Sequence, residues 1–143
     1  LECTYEAIID GGVNPQDIRG SRTGVYVGVS NSDSEEFWCR DPDVVNGYGL
    51  TGCARSMFAN RISFTFDFKG PSYAVDTACS SSLFAMDHAF RDIKSGRCDA
   101  AIVAGVGLIF KPTMSLQFKR LNMLSPDGKN FSLYNFVFEL IFL

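Results

Sequence analysis

Apolar residues recur along this chain with two periods. Leu1, Tyr5, Ile8 and Ile9 fall at helical spacing, and Gly11-Gly12 supplies the stop. Asn14-Pro15 marks a turn. Val25, Val27 and Val29 then alternate through Thr23–Ser30, which predicts a strand. Gly24 and Gly28 fall on its opposite face, where a missing side chain lets another backbone come close. Ser32-Asp33-Ser34-Glu35 has capping-box form and predicts the start of a short helix. Thr51–Asn60 reads as helical, with Met57 and Phe58 apolar.

The best-defined unit follows. Gly70-Pro71 makes a turn, Ser72–Ala78 a short strand, and Cys79–Lys94 a helix. Leu83, Met86, Phe90 and Ile93 form one apolar stripe on that helix, and Asp87 and Arg91 pair at i, i+4 on its wet side. Ser95-Gly96 ends it. Ala100–Val106 is a continuous apolar run, the mark of a strand buried on both faces. Strand, helix and strand at this spacing make a βαβ unit with parallel strands and a right-handed crossover, which places the chain in the α/β class. Lys111-Pro112 begins a further amphipathic stretch with Met114, Leu116, Phe118 and Leu121 apolar, and Ser125-Pro126-Asp127-Gly128 is a turn.

The 143 residues are 46% apolar and 20% charged, close to globular averages. A net charge of −3 leaves no basic footprint for nucleic acid. One histidine, His88, excludes a multi-histidine metal site. The five cysteines, at positions 3, 39, 53, 79 and 98, include no C-x-x-C pair. Such a sparse pattern fits reduced thiols in a cytoplasmic protein. Leu1–Ile9 carries two glutamates and no basic leader, so it does not read as a signal peptide. Phe136–Leu143 is apolar but holds Glu139 and is far shorter than the roughly 20 residues a membrane span needs.

Chemistry concentrates at Asp76-Thr77-Ala78-Cys79-Ser80-Ser81-Ser82. Cys79 falls where a strand gives way to a helix, the ligand side of an open α/β sheet. Free amides and the positive end of the helix dipole would stabilise a thiolate there and could form part of an oxyanion hole for acyl transfer. The arrangement parallels the strand-to-helix nucleophile turn of hydrolases, with sulfur in place of oxygen. From position alone, a buried structural thiol is an equal alternative. Cys3, Cys39, Cys53 and Cys98 read as structural or incidental. His88 lies nine residues beyond Cys79 on the same helix, about 13 Å along the axis, too far to pair with the thiol within one chain. It is expected near Asp92, one turn on.

These residues resemble a known family. Gly70-Pro71-Ser72 followed by Asp76-Thr77-Ala78-Cys79-Ser80-Ser81-Ser82 looks like the active-site segment of β-ketoacyl synthases, the thiolase-like condensing enzymes. Tyr5-Glu6-Ala7, Gly24-Val25-Tyr26-Val27-Gly28, Gly96-Arg97-Cys98-Asp99-Ala100-Ala101 and Leu124-Ser125-Pro126-Asp127-Gly128-Lys129 agree with it. Ala59-Asn60-Arg61-Ile62-Ser63 and Phe66-Asp67-Phe68-Lys69 look most like the ketosynthase of animal type I fatty acid synthase. The resemblance covers residues 1–129, expected to be the central part of the N-terminal half of a ketosynthase domain. Residues 130–143 form an apolar tail that departs from the family pattern.

The resemblance implies a partial thiolase-like fold, with layered helices around a mixed, largely parallel sheet. It implies that Cys79 accepts an acyl group from the phosphopantetheine arm of acyl carrier protein, with its backbone amide in the oxyanion site. Decarboxylative condensation with malonyl-carrier protein would follow. No cofactor would be bound directly, and NADPH would serve other domains of the parent synthase. Ser72–Ala78 is expected at the interface of a homodimer, and Met114 and Phe118 near the acyl pocket, although a core role is the safer assignment for both. The family also uses two histidines from the later half of its domain, and this sequence holds only His88, so the residues given are expected not to complete condensation. A polyketide synthase ketosynthase shares the same motif. A non-catalytic fragment that packs or dimerises through the sheet is a third reading. A cysteine hydrolase lacks a histidine placed to activate water.

Overall fold

The computed structural model describes residues 1–30, 33–38, 41–43, 46–107, 109–129 and 138–142. Helix α1 (Glu2–Asp10) closes at Gly11, and strand β1 (Thr23–Val29) follows. Three helices come next: α2 (Asp33–Trp38), α3 (Tyr48–Cys53) and α4 (Ser56–Phe66). Strand β2 (Ser72–Val75) leads through a 3-10 turn (Ala78–Ser80) into α5 (Ser81–Lys94). Strand β3 (Ala100–Val106), helix α6 (Pro112–Arg120) and strand β4 (Phe138–Phe142) complete the order. Cys39, Ser32 of the capping sequence, and tail residues 130–137 and 143 lie outside the described residues.

The sheet runs β2-β1-β3-β4. The first three strands are parallel, with Gly28 opposite both Val75 and Gly105, and β4 pairs antiparallel to β3. The β2-α5-β3 crossover therefore spans β1, and the mixed, largely parallel sheet matches the expected class. On one face, Val25, Val27 and Val29 pack with Ile8 of α1, Ala59, Ile62 and Phe66 of α4, and Ile102 and Ala104 of β3. On the other, Tyr26, Val75, Ala101 and Val103 meet Ala85 and Ala89 of α5. Helices on both faces explain why every residue of β1 is buried.

Several details differ from the pattern-based expectation, among them the start of α5, which lies at Ser81 and leaves Cys79 in the preceding 3-10 turn. The expected helix over Thr51–Asn60 is two helices, because Ala54 leaves the helical region (φ −59°, ψ 132°). The expected strand to Ala78 ends at Val75, since Asp76 and Ser81 side chains take the next amides in place of a ladder. Gly24 makes room for a side chain, since a Cβ there would fall 2.6 Å from the Tyr26 ring, and the close backbone approach beside it is set by Gly70, whose Cβ would fall 2.6 Å from the Gly24 nitrogen. The stripe on α5 is also different. Leu83 (59% exposed) and Phe90 (46%) face outward, Met86 and Ile93 are half-buried, and the buried face is Ser81, Ala85, Ala89 and Asp92. Tyr26 already fills the space above the sheet, so only small side chains let α5 approach.

Candidate active site

Cys79 is exposed in the middle of the 3-10 turn that links β2 to α5. It borders a hollow of about 240 Å³ lined by Gly28, Ser30, Ala78, Ser81 and Ser82, with Gly105 and Val106 beside them. These residues come from the carboxyl ends of the parallel strands and the start of α5, where open α/β sheets hold ligands. Gly28 sets how closely the helix sits. A Cβ there would fall 2.7 Å from the Ser81 carbonyl carbon and the Ser82 nitrogen. The expected close backbone approach at Gly28 is therefore present, and it seats the start of α5 directly on β1.

The residue before the cysteine has an unusual backbone. Ala78 has φ +54°. A left-handed conformation costs a residue with a Cβ roughly 1–2 kcal/mol. Side chains hold Ala78 on both sides of its Cα. Its N–H donates to Asp76 Oδ1 at 3.1 Å. Its carbonyl accepts from Ser81 Oγ at 2.6 Å and Ser30 Oγ at 3.2 Å. Ser81 Oγ also accepts the Thr77 N–H at 2.9 Å, closing the turn on itself. Asp76 is anchored in turn by Arg55 at the head of α4, with a nitrogen-to-oxygen distance of 2.6 Å. The Ala78 amide, followed by the Ser30 hydroxyl and the Arg55 guanidinium, holds the Asp76 carboxyl below the usual carboxylate range.

The other candidates lie elsewhere. Cys3 is exposed on α1, while Cys53 and Cys98 are buried. His88 does not meet Asp92. Its Nδ1 lies 3.2 Å from the Tyr73 hydroxyl, and Asp92 is buried against Tyr26 and Arg97. The i, i+4 pair of Asp87 and Arg91 forms at 2.9 Å. Met114 and Phe118 are half-buried on α6, neither lining the Cys79 hollow nor fully buried in a core. Ser30, Arg55 and the dual role of Ser81 escape a reading of the sequence. Asp76, two residues before Ala78, had a signal in the Asx-turn spacing, whereas Arg55 had none.

A family model described as "Beta-ketoacyl synthase, N-terminal domain" matches residues 1–135. Goose (Anser anser anser) fatty acid synthase is 57% identical over 128 residues, which are 90% of this chain and 36% of that protein. The hybrid PKS-NRPS synthetase iliA of Neonectria sp. (strain DH2) is 47% identical over 130 residues, 91% of this chain and 3% of that one. The chain thus spans about a third or less of these curated relatives. Among solved structures, an oxazolomycin ketosynthase domain of Streptomyces albus JA3453 superposes with a TM-score of 0.74 at 33% identity, covering 89% of this chain and 22% of that one. The ketosynthase from module 6 of the bacillaene synthase of Bacillus subtilis 168 gives 0.73 at 32% identity, covering 88% and 21%.

Proposed function

This chain belongs to the β-ketoacyl synthase family, and from that premise we propose that it is part of a fatty acid synthase ketosynthase with Cys79 as its acyl-accepting nucleophile. The carrying observation is the exposed Cys79 thiol on a braced turn at the carboxyl ends of the parallel strands. The thiolate attacks the carbonyl carbon of an acyl thioester. The tetrahedral oxyanion collapses, the new Cys79–acyl bond is kept, and the pantetheine thiolate leaves and is protonated by solvent. The Cys79 amide is assigned to the oxyanion site.

In the parent enzyme the malonyl unit then loses carbon dioxide. Its electron pair becomes the carbanion that attacks the Cys79 acyl group and releases the thiolate. No residue of this sequence is assigned to the decarboxylation. Acyl carrier protein is the proposed partner, the acyl and malonyl groups arrive on its phosphopantetheine, and the parent works as a cytoplasmic homodimer. Residues 1–129 are taken as the central part of the first half of the domain. The higher identity to an animal fatty acid synthase than to a fungal hybrid synthetase supports the fatty acid reading over polyketide synthesis.

The test is incubation of the chain with an acyl-pantetheine thioester, followed by peptide mass spectrometry. A single acyl adduct on Cys79, absent from Cys79→Ala, is the expected result. Equal acylation of Cys3 and Cys79, or none at Cys79, overturns the assignment.

A further inference from the structure

We propose that Arg55 and Asp76 are positioning residues for Cys79, acting together through the backbone of Ala78. The proposal rests on the reading of Cys79 as nucleophile. Its basis is a chain of contacts that starts on one element and ends on another. The break at Ala54 places Arg55 at the N-cap of α4. From there its guanidinium meets Asp76 Oδ2 at 2.6 Å. The other carboxylate oxygen, Oδ1, accepts the Ala78 N–H at 3.1 Å. Ala78 is left-handed at φ +54° and is bonded directly to Cys79.

The two oxygens of one carboxylate thus do different work. Oδ1 makes the local turn, a bond available to any Asx side chain at this spacing. Oδ2 ties that turn to α4, whose Ala59, Ile62 and Phe66 are set in the core. A conformation that costs energy persists only where its surroundings over-determine it. Without Arg55, Asp76 loses its tie to α4, and Ala78 is restrained only by the Asp76 bond to its amide and by the Ser30 and Ser81 bonds to its carbonyl, so that it is freer to relax toward negative φ. That rotation would swing the Cys79 amide and thiol away from the hollow beside Gly28 and Ser30. The geometry therefore assigns Arg55 a role in where the thiol points, although it does not touch the hollow.

The chain carries its own controls for a test. Cys3 is exposed and far along the sequence from the turn, and Cys53 and Cys98 are buried. The experiment is time-resolved alkylation of the full 143-residue chain by a chloroacetamide carrying a pantetheine-like arm, in which the thiolate displaces chloride to form a thioether, with each cysteine quantified by mass spectrometry. The readout is the Cys79 to Cys3 rate ratio, separated into reagent affinity and limiting rate. In the unmodified chain the ratio is well above unity; a ratio of one overturns the nucleophile reading itself, not this proposal alone. Asp76→Asn keeps the acceptor for Ala78 and removes the charge that Arg55 holds, and Arg55→Met removes the other partner. Each is expected to lower the ratio about tenfold through the limiting rate, with Cys53 and Cys98 still protected. Arg55→Lys restores part of it. An unchanged ratio in Asp76→Asn and Arg55→Met overturns the proposal. So does exposure of Cys53 and Cys98 in both variants, which would make the pair a support of the whole fold.

Discussion

The Tyr26 hydroxyl donates a 2.7 Å hydrogen bond to Asp92 Oδ2, joining the middle of β1 to the last turn of α5. Both residues are buried, at 0% and 3% exposure. Asp92 Oδ1 meets the Arg97 guanidinium at 2.5 Å, and the Asp92 carbonyl accepts the Arg97 amide at 2.9 Å. A buried carboxylate thus closes the turn between α5 and β3 while gripping the strand beneath. Hydrogen bonds to a charged partner contribute about 1.5–3 kcal/mol, so Tyr26→Phe should lower unfolding free energy by about that amount. Urea denaturation with an unchanged slope is the check, and a loss below roughly 0.5 kcal/mol would show the bond to be dispensable.

The same pair sets an alkaline limit. Burial first, and then the bond to Asp92, pushes the Tyr26 phenol well above its ordinary value. The folded chain therefore keeps this proton where the unfolded chain gives it up. Stability from this source is fully present below the unfolded value near pH 10 and is lost as pH rises beyond it. Unfolding midpoints followed from about pH 8 to 11 should fall above about pH 10, and the fall should be shallower in Tyr26→Phe. Parallel curves for the two proteins would contradict this.

Gly28 is the point where α5 rests on the sheet. A methyl group there meets backbone atoms 2.7 Å away and cannot be accommodated by a side-chain rotation. Gly28→Ala should destabilise the chain by about 1–3 kcal/mol as the helix is lifted. Because Ser81 and Ser82 move with it, selective labelling of Cys79 should drop as well. A midpoint equal to that of the parent chain would show that α5 can shift freely.

Ala78 offers a test of backbone strain with opposite outcomes. Its φ of +54° is open to glycine at little cost but is strongly disfavoured for a β-branched residue. Ala78→Gly should leave thermal stability within about 1 kcal/mol, since relief of strain offsets the greater freedom of the unfolded chain. Ala78→Val should cost more than about 2 kcal/mol. Equal midpoints for the two variants would place Ala78 in an ordinary conformation.

Much of this architecture was legible in one dimension. The alternating valines of β1, the unbroken apolar run of β3 and the glycine stop after α1 each report a strong local preference that tertiary contacts reinforce. So does the placing of Cys79 between a strand and a helix. The packing of α5 was not legible. Leu83 and Phe90 are the larger apolar groups and form a proper stripe, yet Ala85 and Ala89 face the sheet. Pattern counts hydrophobicity, whereas packing must fit volume, and the Tyr26 ring had already taken the space. His88 misled for a related reason: Asp92, one turn away, was claimed by Tyr26 and Arg97, so the imidazole turned to Tyr73.

Periodicity and motifs contiguous in the chain were enough for the α/β class, the parallel strands with their helical crossover, and the position of Cys79 between a strand and a helix. Folding in three dimensions settled the rest: which side of α5 is buried, that Ala78 is left-handed, and that Arg55 reaches Asp76 across 21 residues. The buried side of α5 and the Arg55–Asp76 contact depend on the volume and reach of side chains distant in the chain, while Ala78 combines local bonds from Asp76 and Ser81 with one from distant Ser30; the distant partners meet only once the sheet and its helices have packed.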